Sequence, residues 1–166
     1  PEEKFFADLT QLKPVRVPGA AIYLSSERRG IPAALQLNLQ HNKVVHEIVV
    51  LVTFETVPHP YAHPKTRTKV ETLSLGFHRV TQQVGFMEQP DVPAAVHEMR
   101  DRGIPIPEHD LAYFVGRESL VVTDRPGLPI WQETLFAVMA RNSATAASYF
   151  QIPRRKIVEL GTEIEL

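Results

Sequence analysis

HNKVVHEIVVLVTF, residues 41 to 54, is the stretch that decides the fold. From Val44 to Phe54 the chain is apolar and rich in β-branched side chains, the composition of a strand covered on both faces. Such a strand belongs at the centre of a sheet. The entrance to the run is polar, and its two histidines and one glutamate raise the question of a metal or acid–base site. His41 and His46 are five apart and cross a helix-to-strand boundary, so they have neither the face of a helical zinc pair nor the alternate spacing of a strand pair. The plainer reading is a helix C-terminus. Asn42 takes the left-handed capping conformation, and Lys43 and a partly protonated His41 sit at the negative end of the helix dipole. His46 and Glu47 remain at the mouth of the strand, hydrogen-bonded to loops.

Upstream, VRVPGAAIYLSS reads as a strand closed by the turn cluster SSERRG, and Gly30-Ile31-Pro32 suits a helix start. That helix carries Leu35 and Leu39 and ends near Asn42. Downstream, VPHPYAHPKTRTK (57–69) holds three prolines and two histidines and reads as an extended, solvated loop. KVETL and FHRVTQQVGF then flank a Leu75-Gly76 turn, giving a hairpin with one wet face and with Val80, Val84 and Phe86 on the other. The clearest helix is DVPAAVHEMRDRG: Asp91 is the N-cap, Val92, Ala95, Val96 and Met99 recur at helical spacing, and Gly103 ends it. LAYFVGRESLVV supplies one more strand or a broken pair around Gly116. Residues 129–142 form a helix with SATAASYF as a short continuation, and KIVEL is a closing strand. The expected class is α/β, a mixed sheet of about five or six strands with helices packed on it and an embedded hairpin.

Bulk properties narrow the partners. The chain has 166 residues, the size of one domain. With 18 Lys+Arg against 19 Asp+Glu, it has no field that would draw it onto nucleic acid. It has no cysteine, which removes disulfides, thiolate metal sites and thiol nucleophiles together. The longest apolar run, Ile48 to Val52, is too short to span a bilayer. The start PEEKFF lacks both a methionine and the pattern of a signal peptide, as expected of a piece of a longer protein.

Catalytic patterns are missing from the sequence. It contains no G-x-S-x-G, no G-x-G-x-x-G and no G-x-x-x-x-G-K-[ST]. HPYAHP (59–64) offers two histidines without a nearby acidic third ligand, so no metal is expected there. Arg154-Arg155-Lys156 is the one compact basic cluster, read as a solvated strand edge. The chain is therefore not expected to be an enzyme or to carry a cofactor.

Specific words in the chain go further. RVPGAAIYLSS, GIPAALQLNLQHNKVVHEIVVLVTFET, FHRVTQQVGFMEQPDVPAAV, YFVGRESLV and FAVMARNSATAASYFQIPRRKIVELGTEIEL follow one another in an order that resembles the C-terminal cytoplasmic domain of the Kup/HAK/KT family of potassium uptake transporters. The resemblance covers Val15 to Leu166, with HPYAHP and GIPIPEHD as departures. It implies a preceding membrane part that takes up potassium by proton symport and holds both the potassium and the proton sites. Residues 1–14 would be the tether from that part, and 15–166 a single cytoplasmic domain of an inner-membrane protein. Two roles follow from it. One is a regulatory and assembly module acting on the membrane part, as a homodimer in the full transporter. The other is a nucleotide sensor for cyclic di-AMP or an adenine nucleotide, with Arg16, Lys43, His46, Arg117 and Arg141 as candidate ligand-binding residues.

Overall fold

The computed structural model describes residues 2–25, 28–121 and 146–165, with the side chains of 117–121, 146 and 162–165 left out. The elements run α1 (Glu2–Leu12), β1 (Val15–Ser25), α2 (Ala33–Asn42), β2 (Val44–Val57), β3 (Thr68–Thr72), β4 (Phe77–Gly85), α3 (Val92–Asp101), β5 (Leu111–Val121), α4 (Ala146–Tyr149) and β6 (Ile157–Glu165). They form one six-stranded sheet in the order β3-β4-β2-β1-β5-β6. β4, β2, β1, β5 and β6 are parallel and β3 alone is antiparallel, so the sheet is mixed as expected. Read outward from β1, the parallel strands grow first through β2 and β4 and then, on the other side, through β5 and β6. That is a doubly wound order, reversing direction between β1 and β5.

The apolar run of β2 is central, as its composition demands. Val49, Val50, Leu51 and Val52 are buried and alternate between two cores. On one face Val50, Val52, Ile22 and Tyr113 meet Val92, Val96 and Met99 of α3. On the other Val49, Leu51 and Tyr23 meet Leu35 of α2 and Leu9 of α1. Burying a side chain of this size contributes about 1.5–3 kcal/mol, so these facing layers are the main source of stability.

α3 follows its sequence closely. The Ala94 N–H donates to Asp91 Oδ1 at 2.8 Å, and the four residues expected inside are buried. α2 also forms where expected, but its cap is one residue later. Lys43, with φ 55°, is the left-handed residue, and its N–H donates to Leu39 O at 3.2 Å. Asn42 stays helical because its side chain is engaged elsewhere: Nδ2 donates to Asn38 Oδ1 at 2.8 Å. Asn38 is itself buried and donates to the Tyr23 hydroxyl and to Val44 O. Pro32 occupies the cap position of α2, one place before the first helical residue.

Three further expectations change. Residues 2–12 are a helix, because Phe5, Phe6 and Leu9 fall on one side and pack against Phe77 and its neighbours. The hairpin is wet only on β3; β4 is covered on both faces, with Phe77 and Arg79 on one and Val80, Gln82 and Val84 on the other. Phe86 lies beyond the end of β4 and points to solvent instead of continuing that face. The helix expected over 129–142, and Arg141 with it, lies outside the described residues.

Candidate functional site

The two ends of the parallel strands differ in kind. Three sequence candidates come together at the amino edge. The Arg16 guanidinium donates to His46 O at 3.0 Å and to Leu75 O at 2.9 Å, and its carbon lies 5.9 Å from the centre of the Phe77 ring. It ties the starts of β1 and β2 to the β3–β4 turn. Lys43 O accepts from the Val15 N–H at 3.2 Å, closing the end of α2 onto β1. The His46 ring meets the edge of Phe114 at 6.0 Å between centroids, and its Nδ1 is buried without a hydrogen-bond partner. Burial lowers the His46 pKa, partly offset by the Asp110 carboxylate. A neutral imidazole beside a ring is a packing arrangement. Among the described residues no group of three or more His, Asp or Glu could hold a metal.

Doubly wound sheets bind ligands at the carboxyl ends of the strands, where the order reverses. Arg16, Lys43 and His46 are therefore at the wrong end for that rule. Arg117 lies in the second half of β5, paired with Gly161, and so toward the opposite, carboxyl end of the strands.

At the carboxyl edge the fold leaves a cleft of about 740 Å³ between the ends of β1, β2 and β5 and the start of α2. Leu24, Val52, Phe54 and Val115 form its floor, Pro32 and Ala33 one wall, and Tyr149 and Phe150 another. The rings of Phe54 and Phe150 pack at 5.6 Å and those of Tyr149 and Phe150 at 4.9 Å. The polar side chains that line it are Ser25, Gln36, Thr56 and Tyr149. The β1–α2 connection also carries Arg28, paired with Glu55 at 2.9 Å, and the exposed Arg29. Sequence reading passed over both arginines; the pattern strand, SSERRGIP, helix was the signal that marks them as the first strand-to-helix turn.

Beside the cleft, the proline-rich loop 58–67 is exposed as expected, and it is also anchored. The Ala62 and Gly85 N–H groups both donate to Glu88 Oε2, at 2.8 and 2.6 Å, and Arg67 pairs with Glu88 Oε1 at 3.5 Å. The N–H groups of Phe86 and Met87 donate to His59 O and Pro60 O. Gly85 has to be glycine, since a Cβ there would run into Pro60 O. The two backbone hydrogen bonds, aided by Arg67, hold the Glu88 carboxyl below its ordinary value. Further along, Thr68 and Gln82, both buried, share the Glu98 carboxylate.

Relatives give this geometry a family. A family model described as "K+ potassium transporter C-terminal domain" matches residues 18–166. A protein of Myxococcus xanthus is 45% identical over 153 residues, covering 92% of this chain and 23% of its own length. Proteins of Xanthomonas oryzae pv. oryzae and Azoarcus sp. are 44% and 42% identical over 99% and 100% of this chain, each over 26% of its own length. All three carry the name "Probable potassium transport system protein Kup". The chain thus spans about a quarter of the length of these relatives. No solved structure matches it. None of the described helices is long and apolar enough to cross a membrane. With nearly the whole chain matched by the family model and by relatives above 40% identity, it belongs to the Kup potassium transporter family, as a C-terminal domain.

Proposed function

We propose that this chain is the cytoplasmic regulatory and assembly domain of a proton-coupled potassium uptake transporter. The observation that carries this reading is the match of the chain to the C-terminal domain of a transporter family, over a quarter of the relatives' length. Potassium and protons are handled by the membrane part that precedes it, and the domain acts on that part without chemistry of its own. α1 supports a mechanical role. It makes up most of the expected tether and is fastened to the sheet by Leu9, by the aromatic contacts with Phe77 and by the Glu2–Arg79 pair at 2.7 Å. A displacement of the tether would therefore reach the sheet. A contact between two such domains would assemble the transporter as a homodimer.

The test is removal of residues 1–166 from the full transporter, followed by measurement of potassium uptake and of assembly by cross-linking. A change in either supports the reading. Unchanged rate, affinity and assembly together refute it.

The cleft at the reversal of strand order favours a second reading, a nucleotide sensor for cyclic di-AMP or an adenine nucleotide that gates transport. Its cations would be Arg29 and Arg117, on the carboxyl side, and not Arg16, Lys43 or His46. Calorimetric titration of the full transporter with ATP, AMP and cyclic di-AMP tests it. Heat that persists in Lys43→Ala but disappears in Arg29→Ala supports the cleft; no heat with any of the three removes the sensor reading.

A further inference from the structure

Most exposed apolar side chains of a small domain are scattered and need no explanation, but a group of them held on rigid backbone does. Tyr61, Phe86 and Met87 are 66%, 60% and 65% exposed. They lie together because the loop before β3 and the segment after β4 are joined by backbone hydrogen bonds, Phe86 N–H to His59 O at 2.9 Å and Met87 N–H to Pro60 O at 3.1 Å. Gly85 brings the two segments into contact, with its Cβ direction running into Pro60 and the Tyr61 backbone. Glu88 then locks both by accepting from Ala62 and Gly85. The apolar side chains are thus presented on a preformed platform. Ordering a loop in order to expose aromatic and methionine side chains to water brings no gain to the isolated domain.

The position of this platform identifies what covers it. β2 runs on from Thr53, the partner of Ser25 at the end of β1, to Val57, the partner of Gly85. The platform therefore stands at the carboxyl edge, above the ends of β2 and β4. The chain also enters from this side. Glu2, at the start of α1, accepts from the Gly30 N–H at 2.9 Å, just beyond the end of β1, and α1 then runs down toward Val15 at the amino edge. The relatives are about four times longer than this chain, and the matching family model is that of a C-terminal domain, so an N-terminal part is expected upstream of residue 1.

We infer that Tyr61, Phe86 and Met87 form the surface on which the preceding, N-terminal part of the same transporter polypeptide docks. This rests on the proposed function, and it adds the face of the domain through which the coupling acts. The amino edge offers Leu12, Val15 and Leu75 as its own exposed apolar residues. They stand among Lys13, Arg16 and Lys43, at the far end of α1 from the point of chain entry.

Photo-cross-linking in the full transporter, in membranes, tests the inference directly. A benzophenone side chain is placed at position 86 or 87, and at position 75 as the amino-edge control, and the products are mapped by mass spectrometry. The expected result is a cross-link from 86 and 87 to segments upstream of residue 1 in the same polypeptide, and none from 75. Cross-links from 86 and 87 to a second copy, cross-links upstream from 75 alone, or none from any position would each overturn it. The docking surface and the coupling role fail separately. If removal of residues 1–166 alters uptake while 86 and 87 give no upstream product, the coupling stands and this surface is wrong. If removal changes nothing, the coupling fails whatever the cross-links show.

Discussion

The amino and carboxyl edges of the sheet are built from similar materials and do opposite things with them. At the amino edge the cation Arg16 satisfies two backbone carbonyls, one in β2 and one in the β3–β4 turn, and the end of α2 is closed by the backbone of Lys43. At the carboxyl edge an anion, Glu88, satisfies backbone N–H groups, while apolar side chains are turned outward and a cleft stays open. One edge closes the domain; the other presents it. A charged residue at a strand or helix end therefore says little about ligands until its backbone partners are known.

The comparison can be broken by substitution. Glu88→Ala removes two charge-assisted hydrogen bonds and an ion pair in one step, and we expect it to cost about 2–3 kcal/mol by urea denaturation. Gly85→Ala forces a Cβ against Pro60 and should cost about 1–3 kcal/mol, releasing loop 58–67 to proteolysis ahead of the rest. A smaller effect is expected at the amino edge. Arg16→Ala loses donors that are open to water, so about 1 kcal/mol is expected. If Arg16→Ala proves more damaging than Glu88→Ala, the two edges have been assigned the wrong weights.

Acidification separates the edges by pH. His46 lies at the amino edge and His78 at the start of β4, level with the middle of β2, and burial lowers both below the ordinary value of 6.5. Each binds its proton more readily unfolded than folded, so stability falls as the pH drops below 6.5 toward their folded values. Glu88 is held below 4.5 in the folded state, so its contribution is complete above 4.5 and is lost as the pH falls through its lowered value. Glu2 shares that lower window: burial pushes its carboxyl up, but the bonds from Gly30 and Arg79 outweigh this and leave it lowered. Denaturation midpoints should therefore fall in two steps. His46→Phe is expected to shrink the upper step and Glu88→Gln the lower one. A single step unaffected by either change would contradict the assignment.

How much of this could be read in the chain depended on whether the signal was local. β2, α3 and the hairpin announced themselves because periodicity, an aspartate cap and a Leu-Gly turn are properties of neighbouring residues. α1 did not, because its mean polarity is high and only contact with Phe77 reveals why Phe5, Phe6 and Leu9 share a side. Loop 58–67 is exposed and irregular as expected, but its anchoring was not legible, for a related reason. Three prolines suggest a coil, and the residue that fixes it, Glu88, is more than twenty positions away. The candidate site suffered most. Arg16, Lys43 and His46 were chosen as polar residues at strand and helix ends, but the sequence does not say which end of a parallel sheet they occupy. That depends on strand order, set by pairings between β1, β2 and β5 far apart in the chain.

The most direct measurement is potassium uptake by the full transporter with each edge altered in turn. Phe86→Glu with Met87→Glu places charge on the carboxyl-edge platform, and Leu12→Glu with Leu75→Glu does the same at the amino edge. The first pair is expected to change the uptake rate while the protein remains folded and inserted, and the second to leave it at the parental level. The reverse pattern, or equal uptake in all three proteins, would contradict the claim that the domain acts on its transporter through the carboxyl edge.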